Sequence, residues 1–187
     1  MTRRALAFSM AFTLIRLTLP GIAAAAMPWP HPVAPAIPGA SGYVTIPGAV
    51  IPPDKARRYR AVFDATRAAD RAGDLVPALD MVGSELNALG AAGVPTANAR
   101  FVVVFHGAAT VGILDDARYR ARFGVPNPNQ AVLTALKRAG VELYVCGQYL
   151  AAEGIDPATL VPEVRVAADA LIVLMVFQND GYAYLGF

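Results

Sequence analysis

The sequence predicts an α/β fold: a mainly parallel sheet of about five strands with helices on both faces. Two observations carry this. The runs Arg100-Phe101-Val102-Val103-Val104-Phe105 and Val141-Glu142-Leu143-Tyr144-Val145-Cys146 are apolar almost without alternation, as strands buried on both faces are. Segments with helical apolar spacing lie between such runs, and strands alternating with helices imply a parallel sheet. Both runs also end in a chemically active residue followed by glycine, His106-Gly107 and Cys146-Gly147. In open α/β sheets, ligands gather beyond the carboxyl ends of the strands.

The elements follow in chain order. Residues 1–26 read as a signal peptide: basic Arg3 and Arg4, an apolar stretch, and Ala23-Ala24-Ala25-Ala26 before a cleavage point at Met27. Arg16 and Pro20 interrupt the stretch and argue against a permanent membrane span. Residues 27–54 form a proline-rich arm or linker, carrying Pro28, Pro30, Pro32, Pro35, Pro38, Pro47, Pro52 and Pro53. Such a stretch favours extended, ladder-poor backbone, as a tether or a surface-hugging arm. Tyr43-Val44-Thr45-Ile46 is a candidate short strand within it. The compact domain is expected over residues 55–187. Residues 58–66 fit either a strand or a helix face. Asp74 is a candidate N-cap for an amphipathic helix with Leu75, Leu79, Val82, Leu86 and Leu89 on one side, ending near Gly90. Asn127 is expected to cap a second helix, with Pro128 first, Gln130 as capping-box partner, Val132, Leu133 and Leu136 buried, and Gly140 as the stop. Asp156-Pro157 starts a short helix, residues 164–166 a fourth strand, and the apolar run 169–178 a helix packed on the sheet. Asn179-Asp180-Gly181 turns into a last strand, residues 182–185.

Composition narrows the functional classes. Of 187 residues, 56% are hydrophobic, enough for a sizeable core, and the formal charge is +2. Without the head, 13 basic residues face 14 acidic, a net charge of −1. With no basic run outside the head, nucleic acid is not an expected partner. A signal peptide places the mature chain in the periplasm or outside the cell, an oxidising setting. There a lone cysteine, Cys146, calls for a reactive thiol, an intermolecular disulfide or a buried inert residue. No serine–histidine–acid set, dinucleotide fingerprint or phosphate loop is present, and no cofactor is implied. Two histidines, His31 and His106, with one cysteine do not make a metal-ligand set within the chain.

Cys146 is the candidate catalytic residue. A sulfur at a strand end faces the amide-rich start of the next helix, which favours thiolate, and the expectation is a sulfur open to solvent at the rim. The competing reading is a small buried hydrophobe. Gly147 removes bulk beside the thiol, and its amide and that of Gln148 are candidate donors to the anion. His106, followed by Gly107, either pairs with the thiol of a neighbouring strand or bonds local backbone. Asn129, Gln148 and Tyr182 complete the candidate binding set as pocket lining, with capping and packing as their competing roles. Tyr184 is a further candidate wall. Glu142, in a buried strand, needs a partner or an interface. Arg118, Arg120 and Arg122 mark a solvated loop or helix face.

The segments Phe105-His106-Gly107-Ala108, Asn127-Pro128, the run from Gly140 to Gln148, and Gly181-Tyr182-Ala183-Tyr184 together resemble the DsrE/DsrF-like family of sulfur-relay proteins, and within it an exported branch. The resemblance covers roughly residues 57–187. It implies a flavodoxin-related α/β sheet, a strand over residues 58–66, and homo-oligomers, trimers or hexamers. It also implies a sulfurtransferase-type carrier in which a cysteine matching Cys146 holds sulfur as a persulfide between donor and acceptor proteins. The alternative is a non-catalytic oligomeric ligand-binding or assembly module on the same fold.

Overall fold

The computed structural model describes residues 30–187, so residues 1–26, expected to be a signal peptide, lie outside the described residues. Five parallel strands form one sheet: β1 (Tyr59–Ala65), β2 (Ala99–Phe105), β3 (Glu142–Cys146), β4 (Arg165–Ala167) and β5 (Ala183–Gly186), in the spatial order β4-β3-β2-β1-β5. The helices are α1 (Pro77–Ala91), α2 (Asp116–Phe123), α3 (Gln130–Arg138), α4 (Gly147–Glu153) and α5 (Ala170–Asn179). Residues 58–66 resolve as a strand, because a parallel neighbour pairs on each side of β1.

Strand alternation sorts the core into two unequal parts. Phe63, Phe101, Val103, Phe105, Leu143 and Val145 face α1 and α3, which contribute Leu79, Val82, Leu86, Val132, Leu133 and Leu136. On the other side Val62, Val102, Val104 and Cys146 face Ala170 and Leu174 of α5. That helix presents Leu171, Ile172, Met175 and Val176 outward, exposed, so the apolar run expected to pack on the sheet packs along one stripe only.

Several local expectations change. Asp74 does not cap α1; it pairs with Arg71 at 2.8 Å. Pro77 takes the first helical position, and the preceding Val76 N–H donates to Asn129 Oδ1 at 2.8 Å. A buried amide 53 residues away replaces the local cap. The helix expected to open at Pro128 starts at Gln130, with no capping box. Asn127 instead donates to Gly112 O and Leu114 O and accepts from the Asn129 N–H, pinning the loop before α2 to the start of α3.

Residues 43–46 form no strand; among its described residues the arm holds a single bridge, Val33 to Tyr43. It is nevertheless fastened. Ile37 is fully buried, and Asn87 of α1 accepts from the Ala36 and Ile37 N–H groups while donating to Ile37 O and Ser41 O. Gly83 permits the close approach: a Cβ there would lie 2.3 Å from Ala40 Cβ.

Candidate functional site

Chemistry-bearing residues collect at the carboxyl rim of the sheet, on the face covered by α5. In register, Phe105 pairs with Val145, so His106 and Cys146 follow at the ends of adjacent strands. Asp64, next to last in β1, lies on the same face. His106 continues the extended backbone of β2 and its N–H donates to Ala65 O at 3.1 Å.

The histidine's side-chain partner is neither the thiol nor local backbone. His106 Nε2 lies 2.6 Å from Asp64 Oδ1. The other carboxylate oxygen, Oδ2, accepts from Tyr184 Oη at 2.7 Å. Three neighbouring strands, β5, β1 and β2, thus hold a tyrosine–aspartate–histidine chain. Asp64 is buried, and both its oxygens are engaged. The hydrogen bond to Asp64 is the main cause raising the Tyr184 phenol above its ordinary pKa, reinforced by burial and by the carboxylate charge. Sequence reasoning missed Asp64. The available signal was a lone carboxylate in the apolar run Ala61-Val62-Phe63-Asp64-Ala65, which must find a partner when buried.

Cys146 ends β3 and caps α4, its Sγ accepting from the Tyr149 N–H at 3.4 Å. The expectation of an open sulfur is corrected: the residue is 6% exposed and belongs to the apolar cluster under α5. The cause is parity, since alternation along β3 turns position 146 toward the helix and not along the strand axis. Gly147 does not leave free space beside the thiol. A Cβ there would lie 2.7 Å from Ala167 O, so the glycine lets β4 come close.

The other candidates separate. Gly107, at φ +57°, turns the chain out of β2 into a 3-10 helix, Gly107–Ile113. Gln148 Nε2 donates to Ala168 O at 3.3 Å, tying α4 to the link before α5. Asn129 sits at the start of α3, buried, with its side chain committed to Val76 and Asn127. Tyr182 packs edge-on against Phe177 of α5 at 5.0 Å and lies under the Arg60 guanidinium at 5.5 Å. Glu142 finds its partners inside the chain: it accepts from Tyr144 Oη at 2.7 Å and pairs with Arg165 at 2.8 Å. Arg118, Arg120 and Arg122 lie on α2. Among the described residues, no three acidic, histidine or cysteine side chains converge as a metal site, and no helix is long and apolar enough to cross a membrane.

Comparison with known proteins fits this architecture. A protein of unknown function from Methanobacterium thermoautotrophicum, MTH1491, superposes with a TM-score of 0.51 at 21% identity, over 69% of this chain and 99% of that one. The ychN protein from E. coli gives 0.48 at 18% identity, with the same coverages. At 21% identity the likeness to MTH1491 concerns the fold. No curated protein matches the chain. The model of the DsrE/DsrF-like family matches residues 52–187, most of the sequence, and the chain belongs to that family.

Proposed function

We propose that this chain is an exported sulfur-transfer protein, a persulfide carrier whose reacting atom is Cys146 Sγ. Family membership supports a sulfur-relay role in general. The observation that supports the finer reading is the placement of the lone thiol: it ends β3 at the carboxyl rim, next in register to a histidine already held by a buried carboxylate. Cys146 attacks the outer sulfur of a donor persulfide, the S–S bond breaks, and the donor leaves as a thiol while Cys146 becomes Cys–S–SH. One proton moves from the Cys146 thiol to the departing donor thiolate, with no net oxidation. His106, positioned by Asp64 and through it by Tyr184, is the group on hand to carry that proton. Because the sulfur is covered, it reacts from a state in which α5 has lifted.

Donor and acceptor proteins, a periplasmic location and a trimeric or hexameric assembly belong to the same proposal. The exposed apolar side of α5 supports association between copies. The test is to incubate the purified protein with polysulfide or thiosulfate and measure the intact mass. A gain of one sulfur atom on the wild type, absent from Cys146→Ser, is expected. No gain, or an equal gain on the variant, refutes the carrier role.

Burial of Cys146 favours one second reading, a non-catalytic oligomeric module in which the thiol is packing. That reading requires a thiol that reacts only after denaturation and never takes up sulfur.

A further inference from the structure

Helix α5 has two faces, and the chemistry proposed above uses only the inner one. Of the five helices among the described residues, α5 alone carries no charged residue. A helix that is apolar all round is one that becomes buried all round. In the single chain it is not. Leu171, Ile172, Met175 and Val176 are 62%, 50%, 55% and 50% exposed. Their spacing sets them in one stripe, on the side opposite the buried Ala170 and Leu174. Together they leave on the order of 400 Å² of apolar surface uncovered, the size at which a patch marks an interaction site.

The helix is held unequally along its length. At its C-terminal end Phe177 sits between Tyr144, 6.2 Å away, and Tyr182, 5.0 Å away. Each tyrosine carries an arginine over its ring, Arg165 at 4.7 Å and Arg60 at 5.5 Å. Aromatic and cation–π contacts of this kind anchor that end to β3 and to the segment entering β5. The N-terminal half is buried through Ala170 and Leu174, in one cluster with Cys146, and the apolar stripe lies on its back.

We propose that a second copy of this chain seats on that stripe, α5 against α5, and holds the helix down over Cys146, so that self-association controls access to the sulfur. The regulation rests on the carrier reading above. A stripe without charge selects no charged partner, and a two-fold contact lets one patch meet itself. Two such stripes bury about 800 Å² between them, roughly half of a standard interface, which makes a weak contact that forms and parts in the micromolar range. The paired form needs α5 in place, and the open form has no intact stripe to offer. Association and exposure of the thiol therefore exclude each other by mass action.

The experiment follows both events in the purified protein from about 1 to about 500 µM. Sedimentation equilibrium reads association, and intact mass after timed exposure to excess aromatic disulfide reagent reads Cys146. The weight-average mass is expected to rise above that of one chain, and the labelling rate constant to fall about fivefold or more with it. Met175→Glu and Leu171→Glu put a charge on the stripe while keeping a good helix former. Each is expected to stay a single chain throughout and to label at one rate, that of the dilute wild type. A wild type that is still a single chain at about 500 µM overturns the inference. So does association with labelling unchanged, or association undiminished by either charge. Sulfur uptake separates the two readings. Concentration-dependent labelling without uptake leaves the gate and removes the carrier; uptake with concentration-independent labelling removes the gate alone.

Discussion

If α5 is the cover over Cys146, loosening that helix must expose the thiol by a calculable amount. The N-terminal half of α5 is held by two buried side chains, Ala170 and Leu174, the latter 5% exposed. Burying a leucine side chain stabilises by roughly 1.5–3 kcal/mol and a methyl by about 0.8. Lifting this half-helix therefore costs on the order of 3 kcal/mol, a local opening well short of global unfolding. At about 1.4 kcal/mol per decade, the sulfur is open about one part in 100 of the time. An aromatic disulfide reagent should react with the folded protein about 100-fold more slowly than with the urea-unfolded chain at the same pH. Leu174→Ala removes about 2–3 kcal/mol of the cover and should speed the folded-state reaction roughly 30- to 100-fold. Ile51→Ala, at a side chain 91% exposed and outside α5, should change it no more than about twofold. Urea melts of each variant establish that the reaction is read on folded protein. Labelling of the wild type at the unfolded rate, or equal acceleration by the two substitutions, refutes the cover.

Asp64→Leu separates structure from chemistry. It removes two hydrogen bonds to a charged acceptor, each worth about 1.5–3 kcal/mol, but also the cost of burying a carboxylate; Tyr184, 48% exposed, can turn to water. Urea unfolding should therefore move by no more than about 2 kcal/mol, while the rate of sulfur loading on Cys146 falls at least about tenfold; unchanged loading excludes His106–Asp64 from proton transfer. Gly147→Ala should cost about 1–3 kcal/mol in a urea melt, because its Cβ meets a backbone oxygen that can retreat only by moving β4, whereas Gly73→Ala, with open space around it, should be near neutral. The Tyr184 phenol is held above 10.0, its ordinary value, so the stability it contributes is complete below pH about 10 and is lost as pH rises through the folded-state value; Tyr184→Phe should flatten that part of the curve of stability against pH.

What could be read in advance follows from range of interaction. Strands β2 and β3 were legible because burial on both faces leaves an apolar run in the local sequence, and the apolar spacing of α1 did the same for a helix. The cap of α1 was not, since its acceptor, Asn129, comes from the start of α3. Asp64 was missed as a site, although a lone carboxylate in an apolar run is a visible signal. Its partners lie 42 and 120 positions away, and they meet only because the sheet sets β5, β1 and β2 side by side. Cys146 was legible as a strand terminus, while the pairing of its strand with the one ending before His106 was not. Its exposure was misjudged because it depends on α5 returning over the sheet, and nothing near position 146 encodes that return.

The unequal cover of the two faces bears on where chemistry can occur. α1 and α3 seal one face with six or more buried aliphatic side chains, and opening there would mean unfolding the domain. The other face is sealed by one helix through two buried residues, and Asp64, His106, Cys146 and Tyr184 all stand on it. A protein that must keep a nucleophilic sulfur dry and still hand it over needs a cover whose opening costs little compared with total stability. A thiol kept only as core filler would be served equally well beneath α1. Under the proposed function, its position beneath the thinner cover, next in register to a carboxylate-held histidine, is the arrangement that a gated carrier requires.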